Sequence, residues 1–215
     1  MTITVHHLEN SRSQRVLWML EELGFPYEVK RYERDKVTML APPELKRIHP
    51  LGKSPVIVDT DAGAGEGDVV VAETGAIVDY LVEKAGGRLG PPADRADGRR
   101  YRFFTHYAEG SMMPPLLVLL VLNRIPVVGP LAAKKVQPMV DVHLDYVEGE
   151  LAQRPWFAGD AMTAADVMMS FPLEAARSRG GLDGTRPHTI AWLETIHPRP
   201  AYGRALERGG PYAYA

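Results

Sequence analysis

No cysteine occurs in the 215 residues. That excludes disulfides, thiolate metal sites and a cysteine nucleophile supplied by the chain itself. Any thiol chemistry must therefore use a sulfur carried in on a ligand. Neither charge sign dominates: 25 Lys+Arg stand against 27 Asp+Glu, a formal net charge of −2, which gives no electrostatic case for nucleic acid. Long hydrophobic runs are missing too. The most apolar stretch, Leu116 to Leu122, lies between Pro114-Pro115 and Asn123-Arg124. It falls far short of the roughly 20 residues that a membrane span needs, and reads as a buried helix. Residues 1–7 show no basic segment ahead of an apolar one, so no secretory signal is expected and a cytoplasmic location follows. His6-His7 has no further ligand at metal-binding spacing, so no zinc site is expected. What remains is ordinary globular material, 45% hydrophobic and 24% charged. A chain of this size buries about 70% of its unfolded surface, enough for a core without staples.

The first part of the chain alternates strand and helix signals. Residues 2–8 carry Ile3 and Val5 in a β-rich run, a strand. Ser11-Arg12-Ser13-Gln14 then leads into Val16, Leu17, Leu20 and Leu23, a 3.6-period stripe that Gly24 closes. Residues 27–32 read as a second strand, completing a βαβ unit, and Pro42-Pro43-Glu44 starts a short helix. Residues 55–58 and 69–72 are β-branched runs joined by the Gly/Asp-rich segment 59–68, a hairpin. Residues 74–84 form a helix with Ile77, Val78, Leu81 and Val82 on one side, ended by Gly86-Gly87. The expected order is β-α-β-α-β-β-α.

Composition shifts at Gly90-Pro91-Pro92-Ala93-Asp94. Beyond it the signals are helical, over 99–123, 130–151, 163–178 and 189–196. Pro114-Pro115 should kink or break the first of these, because neither has the amide that bonds one turn back. The chain thus divides into an α/β domain over 1–85, a linker over 86–95 and an all-helical domain over 96–215.

Three places in the first domain fall where a strand meets a helix or a sharp turn, the edge at which α/β folds bind ligands. Glu9-Asn10-Ser11-Arg12 precedes the first helix. A helix N-terminus offers unpaired amides and about half a positive charge, and helix N-termini lower thiol pKa values. A hydroxyl there can donate to a thiolate; equally, Ser11 or Asn10 can serve only as the helix cap. Gly52-Lys53-Ser54-Pro55-Val56 opens a strand with a proline, where a cis peptide makes a tight turn. Such a turn leaves the Ser54 backbone free to pair with an extended peptide, while Lys53 either meets a carboxylate or is merely solvated. Glu73-Thr74-Gly75-Ala76-Ile77 again joins strand end to helix start. Thr74 and the amides after it suit an anion, with Glu73 beside them for an ammonium; the plain alternative is a helix cap and a surface acid. Together the three describe a groove for a short peptide with a carboxylate at each end, an amine at one and a thiol between. Glutathione fits that description.

These residues resemble the cytosolic glutathione S-transferases. Asn10-Ser11-Arg12-Ser13, followed by Arg15-Val16-Leu17-Trp18-Met19-Leu20-Glu21-Glu22-Leu23, is similar to the first helix of serine-type bacterial and fungal members. His49-Pro50-Leu51-Gly52-Lys53-Ser54-Pro55-Val56 resembles the family's turn before strand three. Glu73-Thr74-Gly75-Ala76-Ile77 resembles its Glu-Ser-x-Ala-Ile motif, with threonine for serine. The segment from Tyr107 to Leu117 looks like the fourth helix of the same subgroup, and Thr163-Ala164-Ala165-Asp166 resembles the capping box of its helical domain. In that box Thr163 caps the helix while Asp166 reaches back to the Thr163 amide.

The resemblance implies a thioredoxin-like domain followed by an all-helical one, a homodimer, and glutathione as co-substrate without a metal. It implies that Ser11 hydrogen-bonds the glutathione sulfur, with Asn10 and Arg12 beside it. Ser54 pairs with the cysteinyl backbone beside a cis Pro55, Glu73 and Thr74 hold the γ-glutamyl end, and Lys53 meets the glycyl carboxylate. The small apolar electrophile is expected against the long helix, at His106, Tyr107, Gly110 and Met113. Three features depart from the family pattern: the basic residues on helix two that often grip the glycyl end have no clear match near Met39-Leu40-Ala41, the 59–68 loop is longer than a tight hairpin, and Asn10 beside Ser11 leaves open which side chain faces the sulfur. The same scaffold also suits an isomerase, a reductive dehalogenase, a peroxidase, or a module that binds without turnover. Lack of cysteine speaks against reductase chemistry through a mixed disulfide.

Overall fold

The computed structural model describes residues 3–63 and 67–214. Thr2 of the expected leading strand, and Ala64-Gly65-Glu66 of the expected hairpin loop, lie outside the described residues. The chain divides into two compact units at Gly90/Pro91, inside the expected linker; the first takes the residues up to Gly90 together with Pro198–Ala213, the second Pro91–His197 with Tyr214.

In the first unit β1 (Ile3–Leu8), α1 (Ser13–Leu23) and β2 (Tyr27–Tyr32) form the expected βαβ unit, with β1 and β2 parallel. A short 3-10 turn, Pro43–Arg47, stands where a short helix was expected. Then come β3 (Val56–Asp59), antiparallel to β1; β4 (Val69–Ala72), antiparallel to β3; and α2 (Thr74–Lys84). The sheet order is β2-β1-β3-β4. Val5 sits at its centre, level with Val29 and Ile57. The predicted stripe on α1 is buried at Val16, Leu17, Leu20 and Leu23, and Gly24 ends the helix at φ 70, its amide bonding the Leu20 and Glu21 carbonyls. That left-handed conformation suits glycine.

The fold adds an element that the sequence pattern hides. A last helix, Pro200–Gly209, groups with the first unit, burying Ala201, Tyr202, Ala205 and Gly209. Two alanines and a glycine make a faint apolar stripe, and Gly203 lowers helix propensity by about 1 kcal/mol. Tertiary contacts hold it instead. Tyr202 packs edge-on against Trp18 at 5.4 Å, and Arg199 and Arg204 each reach a glutamate of α1, Glu22 and Glu21, at 2.6 Å.

The second unit holds α3 (Arg95–Tyr107), α4 (Met113–Leu122), α5 (Val128–Leu151), α6 (Ala164–Arg179) and α7 (Pro187–Ile196), which makes the helix Pro200–Gly209 of the first unit α8. The helix expected over 99–123 is interrupted near its proline pair by a shift of its hydrogen-bond ladder. A wide π turn, Ala108–Met112, lies between α3 and α4 while the backbone stays right-handed helical throughout, and this shift accommodates Pro114-Pro115 just after it. Leu116 to Leu122 is helical but only partly interior: Leu116 and Leu119 are buried, whereas Leu117, Val118 and Val121 face outward. Arg100 ties α3 to the rest of the second unit. It donates to the Phe157 carbonyl at 3.1 Å, pairs with Glu150 and lies over the Phe104 ring. Phe157 is fully buried, wedged between Phe104 and Trp192. Among the described residues no helix is long and apolar enough to cross a membrane.

Candidate active site

The site region lies where β1 ends. β1 pairs with β3 from Ile3 opposite Asp59 to His6 opposite Val56; Leu8 lies beyond that ladder. Side chains continue it. The Leu8 amide donates to Ser54 Oγ at 3.2 Å, Ser54 Oγ donates to the His6 carbonyl at 2.8 Å, and the Leu8 carbonyl accepts from Ser11 Oγ at 2.7 Å. One residue, Leu8, thus joins the loop before α1 to the turn before β3. The Ser54–Pro55 peptide is cis. Among the described residues the Ser54 backbone makes no hydrogen bond, which leaves an extended edge for a peptide.

The register extends the cluster to β4. Val56 stands opposite Ala72, so the next step brings Pro55 alongside Glu73. Glu73 is exposed and strained, at φ 70 and ψ 126. Such a backbone costs about 1–3 kcal/mol and is held by its surroundings. Thr74 is buried in the first turn of α2, among amides that lack helical partners. The α1 and α2 N-termini therefore share one edge of the sheet. Ser11, Ser54, Glu73 and Thr74 converge there. Lys53 is exposed near the same edge and makes no ion pair among the described residues. Arg12 takes the cap position of α1 without a side-chain cap bond.

Two residues that the sequence reading passed over complete the corner. Ser11 Oγ lies 2.7 Å from Ser13 Oγ, which lies 2.8 Å from His7 Nδ1. The Ser13 amide also donates to Ser11 Oγ at 3.2 Å. Burial pushes the His7 imidazole down to about 4; Arg31 on the neighbouring strand adds to this, and a hydrogen bond to the Gly209 carbonyl opposes it. The ring is therefore neutral near pH 7. Its one N–H goes to Gly209, leaving Nδ1 to accept from the Ser13 hydroxyl. Ser11 is left to donate to Leu8 or Ser13. Asn10 adopts φ 48; its carbonyl takes a long bond from Arg34 at 3.4 Å, and its Oδ1 accepts from the Ala213 amide at 2.8 Å. No sequence spacing announces the roles of His7, Ser13, Arg34 or Ala213, because each depends on tertiary contact.

The four residues expected to meet an electrophile lie in the second unit. His106 and Gly110 are exposed, whereas Tyr107 and Met113 are interior. The Tyr107 hydroxyl is 2.6 Å from His143 Nδ1 and its ring stacks on Phe103 at 5.2 Å. Burial, with Tyr146 adding, raises its phenol far above the ordinary value. It is a structural hydroxyl rather than a ready acid. No group of three or more metal-binding side chains occurs among the described residues.

A βαβ unit followed by a β-hairpin and helix, with a turn carrying a cis proline, and a separate all-helical unit: together these define a thioredoxin-like domain joined to a helical one. Residues 11–84 match the family model of the glutathione S-transferase N-terminal domain, and residues 112–200 that of its C-terminal domain. The chain is 36% identical to glutathione S-transferase 3 of Schizosaccharomyces pombe, over 96% of this chain and 87% of that protein. It is 34% identical to glutathione S-transferase 1 of Saccharomyces cerevisiae, over 96% and 94%. A crystal structure of a glutathione S-transferase from Actinobacillus pleuropneumoniae superposes with a TM-score of 0.82 at 33% identity, covering 96% of this chain and 92% of that one. A family member from Pseudomonas fluorescens, solved with two glutathione bound, gives 0.80 at 25% identity, covering 95% and 92%. The chain belongs to the glutathione S-transferase family.

Proposed function

We propose that this protein is a serine-type glutathione transferase, which binds glutathione at the shared edge of β1, β3 and β4 and activates its thiol for attack on a small apolar electrophile. The observation that carries the reading is the double hold on Leu8, which gathers Ser11 and Ser54 level with Glu73 and Thr74. Ser54 pairs with the cysteinyl backbone beside Pro55. Glu73 and Thr74 take the ammonium and carboxylate of the γ-glutamyl end, and Lys53 takes the glycyl carboxylate. Asn10 and Arg12 flank the sulfur. His106 and Gly110, the exposed pair in the helical unit, meet the electrophile.

Ser11 must give up its bond to Leu8 to serve the thiolate. A neutral hydrogen bond is worth about 0.5–1.5 kcal/mol and one to a charged group about 1.5–3. The exchange thus gains on the order of 1–1.5 kcal/mol, close to one pK unit. Ser11→Ala should raise the apparent thiol pKa by about one unit and lower conjugation roughly tenfold at neutral pH. The measurement is the pH–rate profile for conjugation of an aryl halide, with glutathione affinity by calorimetry. An unchanged profile rejects Ser11; absent glutathione binding rejects the whole reading. Exposed Leu117, Val118 and Val121 on α4, with Val128, Leu131, Met139 and Val142 on α5, support a homodimer; the reading further takes the protein as a detoxifying enzyme of the cytoplasm.

A further inference from the structure

The sequence leaves Ser11 and Asn10 as rival partners for the sulfur, and the structure supplies a way to divide the task. A carboxamide has an accepting end and a donating end, and contacts decide which way it faces. Here the partner of the Asn10 side chain is a backbone amide, that of Ala213, 203 residues downstream, at 2.8 Å. An N–H only donates. Oδ1 must therefore be the end turned to Ala213, and the NH2 end is left over. A thiolate only accepts, so the NH2 end is the useful one.

We propose that the segment following α8 is a positioning element of the thiol corner: the Ala213 amide orients Asn10 so that its NH2 group donates to the glutathione sulfur alongside Ser11. This rests on the glutathione reading above. The need for a second donor is visible at Ser11, whose proton already has two acceptors at 2.7 Å, the Leu8 carbonyl and Ser13 Oγ. The Asn10 backbone is constrained as well, held at φ 48 with Arg34 on its carbonyl.

Ala213 can act at such sequence distance because α8 is fastened along the first unit. Arg31 Nε donates to the Arg208 carbonyl at 3.0 Å, and Arg31 Nη2 to the Glu207 carbonyl at 3.2 Å. Arg208 donates to the Tyr27 carbonyl and lies 3.7 Å over the Tyr27 ring. The Gly209 carbonyl, at the end of the same helix, holds the His7 ring that fixes Ser13. The end of the chain thus reaches both hydroxyl and carboxamide. The charged groups around the corner include Arg12 next to Ser11, Arg34 beside Asn10, Arg31 beside His7 and Glu9, whose carboxylate accepts from the Arg34 amide, with Lys53 and Glu73 along the same edge.

Asn10→Asp separates orientation from anchoring, because aspartate still accepts from Ala213 but has no proton to give. Bound glutathione is titrated by thiolate ultraviolet absorbance in the full-length protein. Asn10→Asp should raise the thiol pKa by about one unit or more, an anion replacing a donor, with an unchanged melting temperature. A chain ending at Gly210, which keeps α8, should raise it by about half a unit. In an Asn10→Ala background the shortening should add nothing. An unshifted pKa in Asn10→Asp overturns the proposal even if the shortened chain fails to fold, and so do additive effects of shortening and Asn10→Ala. A wild-type protein that binds glutathione without ionising it overturns the parent reading, and this one with it.

Discussion

A hydroxyl has one proton to give, and the corner around Leu8 contains three hydroxyls whose protons all have destinations: Ser54 to His6, Ser13 to His7, Ser11 to Leu8. Ser13 is the least conspicuous of them and the most deeply placed, fully buried against an imidazole that is itself only 2% exposed. Ser13→Ala takes the donor from a buried ring nitrogen. The expected cost is about 1–3 kcal/mol, the penalty for a buried acceptor left unmatched, read as a lower urea midpoint at unchanged slope. A midpoint equal to wild type would mean that His7 does not depend on this bond. The residues of the site divide by reach. Ser11, Ser54, Glu73 and Thr74 were legible in the sequence as candidates because each sits where a strand meets a helix or a sharp turn, where a few neighbours state the local geometry. His7 was not, since a histidine pair without metal-ligand spacing offers no local sign of a serine on the next helix. Nor was Ala213, a side chain with no chemistry whose contribution is its backbone amide.

At the scale of elements, the start of α6 shows how a cap anchors a helix to its surroundings. Asp166 accepts from the Thr163 amide at 2.8 Å and the Thr163 hydroxyl at 3.1 Å, while its other oxygen accepts from the Phe157 amide at 3.0 Å. The carboxylate therefore ties its own helix to the loop holding Phe157. Asp166→Ala should cost about 3 kcal/mol or more, because buried amides at Thr163 and Phe157 lose their acceptor together. An ordinary exposed cap is worth about 1 kcal/mol. Chemical denaturation distinguishes the two: a loss below 1 kcal/mol would reduce Asp166 to such a cap. This box was legible as a four-residue pattern, as were α1 and its closing glycine. The π turn was not, since a slip of the hydrogen-bond ladder leaves no residue signature beyond the prolines after it. α8 escaped for another reason: alanines and glycines bury little area, and its hold comes from ion pairs with distant glutamates.

For the whole molecule, acid should strain the two units unequally, and the signs can be worked out from two buried groups. His7, in the first unit, has its folded value pushed from 6.5 down to about 4 by burial. As pH falls through 6.5 the unfolded chain takes a proton that the folded one refuses, so the first unit loses stability until about pH 4. His6, lowered by its own burial and by Lys30, acts in the same direction. Asp166, in the second unit, has its folded value raised from 3.8 to about 6, again by burial first. Below pH 6 the folded state takes the proton and the unfolded state does not, so stability rises as pH falls toward 3.8. Each group contributes about 3 kcal/mol over its full range. His143 in the second unit, lowered by burial, subtracts part of the Asp166 gain. The carboxylates with lowered values, Glu21, Glu22, Asp35 and Asp59 in the first unit and Asp94, Glu148 and Asp183 in the second, act only below their ordinary range near pH 4–4.5. Between pH 6 and 4.5, then, the first unit weakens while in the second the Asp166 gain opposes the loss at His143. Hydrogen exchange at pH 7 and pH 5, corrected for intrinsic rates, should show protection lost in fragments covering β1 and α1 and retained in those covering the start of α6. Equal loss in both fragments would show that the two units open together and that buried His7 does not set the acid limit.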